Sequence, residues 1–211
     1  MITGVIHSLL SYFRGGAKRS LVVCSLLCGL VFGVAERADA QYVALKSNLL
    51  YAAALTPNIS LEFRLAPRWT LQLGAGFNPW PREDEADHKW RHVMAYVEPR
   101  YWFCSAFSRD FIALNAAYTH FNVAEGLYPI GWLYKDVQNN RLQGDAVMAG
   151  VSYGWHFIVS PHVSFELEAG VDGGYAWMDR FACGHCGSLT DSPRKWFAAP
   201  KAAVNIVVML R

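Results

Sequence analysis

Residues 163–177, VSFELEAGVDGGYAW, alternate with a period of two along their whole length. One row is Val163, Phe165, Leu167, Ala169, Val171, Tyr175 and Trp177, broken only by Gly173; the other is Ser164, Glu166, Glu168, Gly170, Asp172, Gly174 and Ala176. Successive side chains of a strand leave opposite faces, so this stretch predicts a long strand with an apolar face and an acidic one. The same alternation marks seven further segments: 42–53, 59–65, 69–79, 91–103, 110–121, 144–157 and 196–211. Helical spacing is almost absent. The chain therefore reads as all-β, with eight strands.

The connections between these segments fall into two kinds. Those at 66–68, 104–109 and 158–162 are short; those at 80–90, 122–143 and 180–195 are long, polar or rich in Trp. Only the outer connection at 55–58 is short where a long one would be expected. An even number of strands joined alternately by turns and long loops predicts an eight-stranded antiparallel up-and-down transmembrane β-barrel, loops outside and turns in the periplasm. Most segments reach the roughly 9–11 residues that a tilted strand needs to cross. Proline cannot donate to a strand ladder, so Pro99, in the middle of segment 91–103, predicts a local bulge.

Aromatic residues of the apolar rows sort by height. Trp69, Tyr101, Phe103, Phe111, Trp155, Phe157 and Phe165 are read at turn-side ends, and Phe77, Tyr175, Trp177 and Trp196 at loop-side ends, with aliphatic residues between. Two aromatic girdles around an aliphatic belt suit a bilayer. The polar rows carry Lys46, Glu62, Arg64, Glu98, Arg100, Glu166, Glu168, Asp172 and Lys201 among small residues. Charges so nearly balanced are expected to form an ion network filling a narrow polar lumen, which argues against a pore. A soluble lipocalin-like binding barrel would turn the apolar row inward and the charges to water; the small size and light charge of the polar row disfavour it.

The first forty residues differ. Lys18 and Arg19 precede the apolar stretch SLVVCSLLCGLVFGVA, followed by a small-x-small site at Ala38–Ala40. This predicts a secretory signal peptide over 1–40, cleaved between Ala40 and Gln41, and a barrel over 41–211. Its removal takes four cations (Arg14, Lys18, Arg19, Arg37) and two anions (Glu36, Asp39), leaving fifteen of each from 19 and 17. No clustered basic excess points to nucleic acid. The expected setting is the outer membrane of a Gram-negative bacterium, with membrane lipid as surroundings and a monomer as the expected state.

Several phrases, ALKSNLLYAAALTPNISLEFRL, GFNPW, KWRHVMAYVEPRYWFC, GVSYGWHF and CGHC before a lysine-bearing last strand, resemble one family of outer-membrane barrels from Bacteroidales-type bacteria, domain of unknown function 3575. The resemblance runs from about Val43 to the C-terminus. It implies an eight-stranded outer-membrane barrel, with some members linked to fimbria-type surface loci, and carries over no catalytic residue.

Little in the chain suggests chemistry. Cys183 and Cys186 lie in a polar, Gly-rich loop with no helix to follow, so CGHC reads as a small loop disulfide rather than a redox centre or metal site. Cys104 lies at the opposite end, beyond disulfide reach of either. Glu166 and Glu168, about 7 Å apart on one face, could suit an inverting glycosidase but read better as lumen ions. Ser152 and His156, about 13 Å apart along a strand, are too distant for a nucleophile and its base. No cofactor or metal is expected. The loop 122–143 carries Tyr128, Trp132 and Tyr134, a candidate binding surface for another surface protein, a fimbrial one by family analogy. The expectation is a non-enzymatic surface scaffold or attachment module; the alternative is an outer-leaflet lipid-modifying enzyme.

Overall fold

The computed structural model describes residues 43–79, 89–124, 140–182 and 187–210. These form β1 (Val43–Asn48), α1 (Leu49–Ala53), β2 (Asn58–Ala66), β3 (Trp69–Asn78), β4 (Lys89–Trp102), β5 (Arg109–Ala124), β6 (Arg141–Ile158), β7 (Val163–Phe181), β8 (Leu189–Asp191) and β9 (Arg194–Leu210). Strands β1 to β7 pair in sequence order, β7 pairs with β9, and β9 returns to β1. All pairings are antiparallel, and eight strands close a ring. The three-residue β8 pairs only with the end of β7 and stands outside it.

The eight expected segments each become a ring strand, but their lengths change. Segment 42–53 does not run through: β1 stops at Asn48, whose side-chain oxygen accepts from the Leu50 N–H and caps α1. An Asn that satisfies an orphan N–H starts a helix even in an apolar stretch. Strands β4 to β7, by contrast, extend into the stretches expected as loops. The β6–β7 ladder is continuous from Arg141↔Phe181 to Ile158↔Ser164. The ring is therefore lopsided, with β1 to β3 short and the other five strands 14 to 19 residues long.

The bulge expected at Pro99 does not form. Pro99 stays in register with Leu71 of β3, while toward β5 the pairing stops at Val97↔Ala116 and resumes at Arg100↔Ala113 with the same offset. The missing N–H interrupts the ladder without adding a residue. A register shift falls instead between Arg64 and Ala66.

Along the middle of each strand the apolar row faces outward. Leu61, Leu73, Val97, Leu114, Val151, Leu167 and Val171 are 38 to 61 % exposed. Lys46, Glu62, Glu98, Arg100 and Glu166, on the other row, are at most 1 % exposed. Phe111 corrects one placement: it points inward and is fully buried. Its parity is that of Ala113 and Asn115, and Gly154 of β6 makes room for it, since a Cβ there would lie 2.2 Å from the ring.

The turn-side end of the interior is closed by an apolar cluster of Trp102, Phe107, Phe111, Ala44, Ala113 and Val207. Ring centroids of Trp102 lie 4.8 Å from Phe111 and 5.8 Å from Phe107. Phe107 adopts φ of 63°, a left-handed conformation that is costly for a side chain of this size. That conformation folds the β4–β5 turn back so that the ring plugs the end.

Candidate functional site

Above this plug lies a buried ion cluster centred on Arg100. Its Nε donates to Glu98 Oε1 at 2.6 Å, Nη2 to Glu168 Oε2 at 2.9 Å, and Nη1 to both Glu62 and Glu166. Lys46 Nζ joins Glu166 Oε2 at 2.6 Å and also meets Glu62; Lys201 bridges Glu98 and Glu168. Neutral donors complete the carboxylate shells: Thr70 to Glu62, and Ser152 to Glu168 Oε1 at 2.5 Å. His156 Nδ1 lies 3.3 Å from Glu166 Oε2. The Arg100 guanidinium also rests 4.4 Å from the centroid of the Phe111 ring, a favourable cation–π placement.

Every ring strand but β5 supplies a member of this cluster. Buried charges survive only when paired and hydrogen-bonded on nearly all sides, and here Arg100 with Glu166 and Glu168, and Lys201 with Glu98, pair across the interior. The cluster thus braces opposite walls against one another. Of the nine expected network residues, seven meet here. Arg64 is half-buried nearer the turns and takes no part in the pairs just described. Asp172 lies higher, accepting from Asn115 Nδ2 at 2.9 Å.

This geometry bears on the catalytic readings. Glu166 and Glu168 are each bound by two cations inside the ring. Ser152 and His156 are tied to different carboxylates, so neither addresses the other. Among the described residues no group of His, Cys, Asp and Glu could hold a metal ion.

The loop-side half of the interior departs from expectation. A polar cavity of about 70 Å³ lies directly above the cluster, lined by Glu98, Glu168, Lys201 and others, with the buried acceptors Gln72 Oε1 and Asn115 Oδ1 unpaired. Met94 and Met148 also line a second cavity of about 490 Å³ whose walls are largely apolar. A packed polar lumen was expected; the polar filling stops partway up. Sequence reasoning missed this space because residues 122–124 and 141–143 read as loop. The signal was present in Phe121, Val123, Leu142 and Met178, apolar residues on what had been the polar row.

The sequence model of one protein family matches residues 23–210. The chain belongs to the family described as protein of unknown function, DUF3575. No curated protein and no solved structure is found to match it.

In this DUF3575 chain the phrase SNLLY…TPN has a structural role. Asn58 Nδ2 donates to the Asn48 carbonyl at 2.9 Å, and its Oδ1 accepts from the Asn48 N–H at 2.6 Å. Asn48 in turn starts α1, so the two asparagines terminate β1 and turn the chain into β2. Cys104 is a free, exposed thiol at the turn side. The expected cleavage site at Ala40–Gln41, the Cys183–Cys186 pair and the loop residues Tyr128, Trp132 and Tyr134 lie outside the described residues.

Proposed function

We propose that this DUF3575 chain is a non-enzymatic outer-membrane β-barrel of a Gram-negative bacterium, exported after cleavage between Ala40 and Gln41, and that it acts as a surface scaffold or attachment module. The observation that carries this reading is the outward apolar belt around a ring whose charges are turned inside. A soluble monomer rarely exposes a contiguous apolar patch beyond a few hundred Å². A lipid surround makes such a belt stabilising and favours strands closed into a ring.

Interfacial side chains support the same reading. Trp69, Phe103, Trp155, Phe157 and Phe165 are exposed near the turns, and Phe77, Trp177 and Trp196 toward the loops. On the loop side the outward row then becomes polar: Tyr118 Oη donates to Asp145 Oδ1 at 2.5 Å, and His120 Nδ1 meets the same oxygen at 2.9 Å. Such a cluster fits the upper edge of a bilayer. The module function rests on Tyr128, Trp132 and Tyr134, in the sequence between β5 and β6, whose partner is taken to be another surface protein, a fimbrial component by analogy with the family.

Two measurements test this. An unheated sample that migrates differently from a boiled one on a detergent gel supports the closed barrel; identical migration counts against it. Photo-crosslinking in whole cells from position 132 should yield a discrete higher-mass protein adduct, whereas label passing only to lipid would overturn the interaction module.

A further inference from the structure

The ring reverses its polarity partway up. Arg91↔Asn122, Asn122↔Gln143 and Gln143↔Asp179 form one continuous register row across β4 to β7, and all four residues lie on the outward face. The inward rows beside it carry Trp90, Val123, Leu142 and Arg180, then His92, Phe121, Gly144 and Met178. In this upper storey the wall is polar outside and, His92, Arg180 and Lys195 apart, apolar inside, the opposite of the belt below. Such a wall encloses an apolar compartment above the belt, and the cavity of about 490 Å³ occupies it.

We propose that this cavity is a binding site for a single aliphatic chain of the fatty-acyl class. Its volume falls in the roughly 300–1,000 Å³ range of small-molecule sites. Apolar cavities take up water poorly, so the space favours an apolar occupant. Met94, Met148 and Met178 contribute unbranched, adaptable thioethers suited to a flexible chain, and Ala146 and Ala176 leave it room. The unpaired acceptors Gln72 Oε1 and Asn115 Oδ1 lie below, in a compartment polar enough for water, while His92, whose Nδ1 is also unpaired, lines the cavity itself and gives the polar end of such a chain a partner.

The route of entry points to the bilayer. The lining includes Phe197, which faces inward, and also Trp196 and Ala198 of the outward row, Trp196 being 81 % exposed. The β1–β9 ladder reaches only to Asn48↔Asn205, so this part of β9 has no strand beside it on the β1 side. The cavity thus reaches the outer face beside an exposed Trp. Side entry rests on the membrane placement proposed above; the chemistry of the cavity does not.

The test is photolabelling of the full chain in lipid nanodiscs with hexadecanoic acid carrying a diazirine, followed by peptide mapping. Parity makes the readout specific. Adducts on Met94, Phe121, Met148 or Met178, lost on adding excess unlabelled hexadecanoic acid, are expected, while adducts on outward Val93, Val147 or Trp177 persist. Ala176→Trp, or Ala146→Trp should the first variant not fold, should abolish the inward adducts with unchanged gel mobility. A phospholipid bearing the diazirine on its acyl chain separates a lipid-borne chain from a free acid, since only the chain that enters labels the inward row. Adducts confined to outward positions, or inward adducts that survive both competition and filling, would overturn the proposal. Failure of the chain to enter nanodiscs would sink the membrane reading instead, and labelling of the detergent-held chain would then decide the cavity.

Discussion

Asn58 grips Asn48 from both sides of its backbone, taking the N–H with Oδ1 and giving Nδ2 to the carbonyl. Ten residues apart, the two bring β1 and β2 together across a connection that β-pairing alone leaves open. Asn58→Ala removes both bonds and the further one to the Thr56 carbonyl. A net bond contributes about 0.5–1.5 kcal/mol, so a loss of roughly 1.5–4.5 kcal/mol is expected in urea unfolding of the detergent-held chain. Asn58→Asp keeps the acceptor and should fall between.

Arg100 touches four carboxylates without exposure to water. Arg100→Met strands that negative charge, and breaking one side of a buried pair costs on the order of 3–5 kcal/mol. The variant should show little heat-modifiable species on a detergent gel. Arg100→Met combined with Glu166→Gln should recover part of the loss; a double variant no better than the single one would argue that the cluster is not energetically coupled.

The pairing of Phe111 with Gly154 makes a size-exchange prediction. Gly154→Val sets methyl groups into the ring and should destabilise by about 1–3 kcal/mol. In the background Phe111→Ala the same change fills vacated space, so the two effects should be markedly non-additive. Additive losses in a thermal double-mutant cycle would show that the contact is not made in solution.

Height along the strand separates two charge substitutions. Leu114→Arg puts a guanidinium in the middle of the outward belt, where it should cost about 2–4 kcal/mol in lipid, whereas Gln143→Arg, near the loop-side end, should cost about 0–1 kcal/mol. Refolding into liposomes with urea titration compares them. Equal and small effects would mean that lipid does not surround the belt.

Cys104 reports orientation. As an exposed thiol on the turn side, it should resist a bulky, impermeant maleimide in intact cells and react once the outer membrane is permeabilised. Ready labelling of intact cells would place the turns outside.

Much of this architecture could be read from alternation, because one strand exposes its two rows to two surroundings and the rows differ sharply in charge. Seven cluster residues were legible since each charge interrupts an otherwise small-residue row. The end of β1 was not, because Leu49–Ala53 continues the apolar stretch and the decision lies in a side-chain contact ten residues away. The upper cavity escaped for another reason. Reading rows assumes that inside and outside keep the same meaning along a strand, and β4 to β7 exchange them near their loop ends. Pro99 shows a third limit: the local rule names the lost bond correctly, but neighbours on both sides hold the register.

The short β1 also shapes how the ring can come into being. Strands β2 to β7 each find a partner nearby in sequence, whereas β1 meets β9 through pairs such as Val43↔Leu210. Closing so long a loop is entropically unfavourable before its contacts form, and the seam offers only six residue pairs in return. Closure is therefore expected to come last in assembly and to reverse most readily. Until it happens both terminal strands present unpaired edges, which other chains could capture. Among the strand ladders of the ring, amide exchange should accordingly be faster across the β1–β9 seam than in the long β6–β7 ladder.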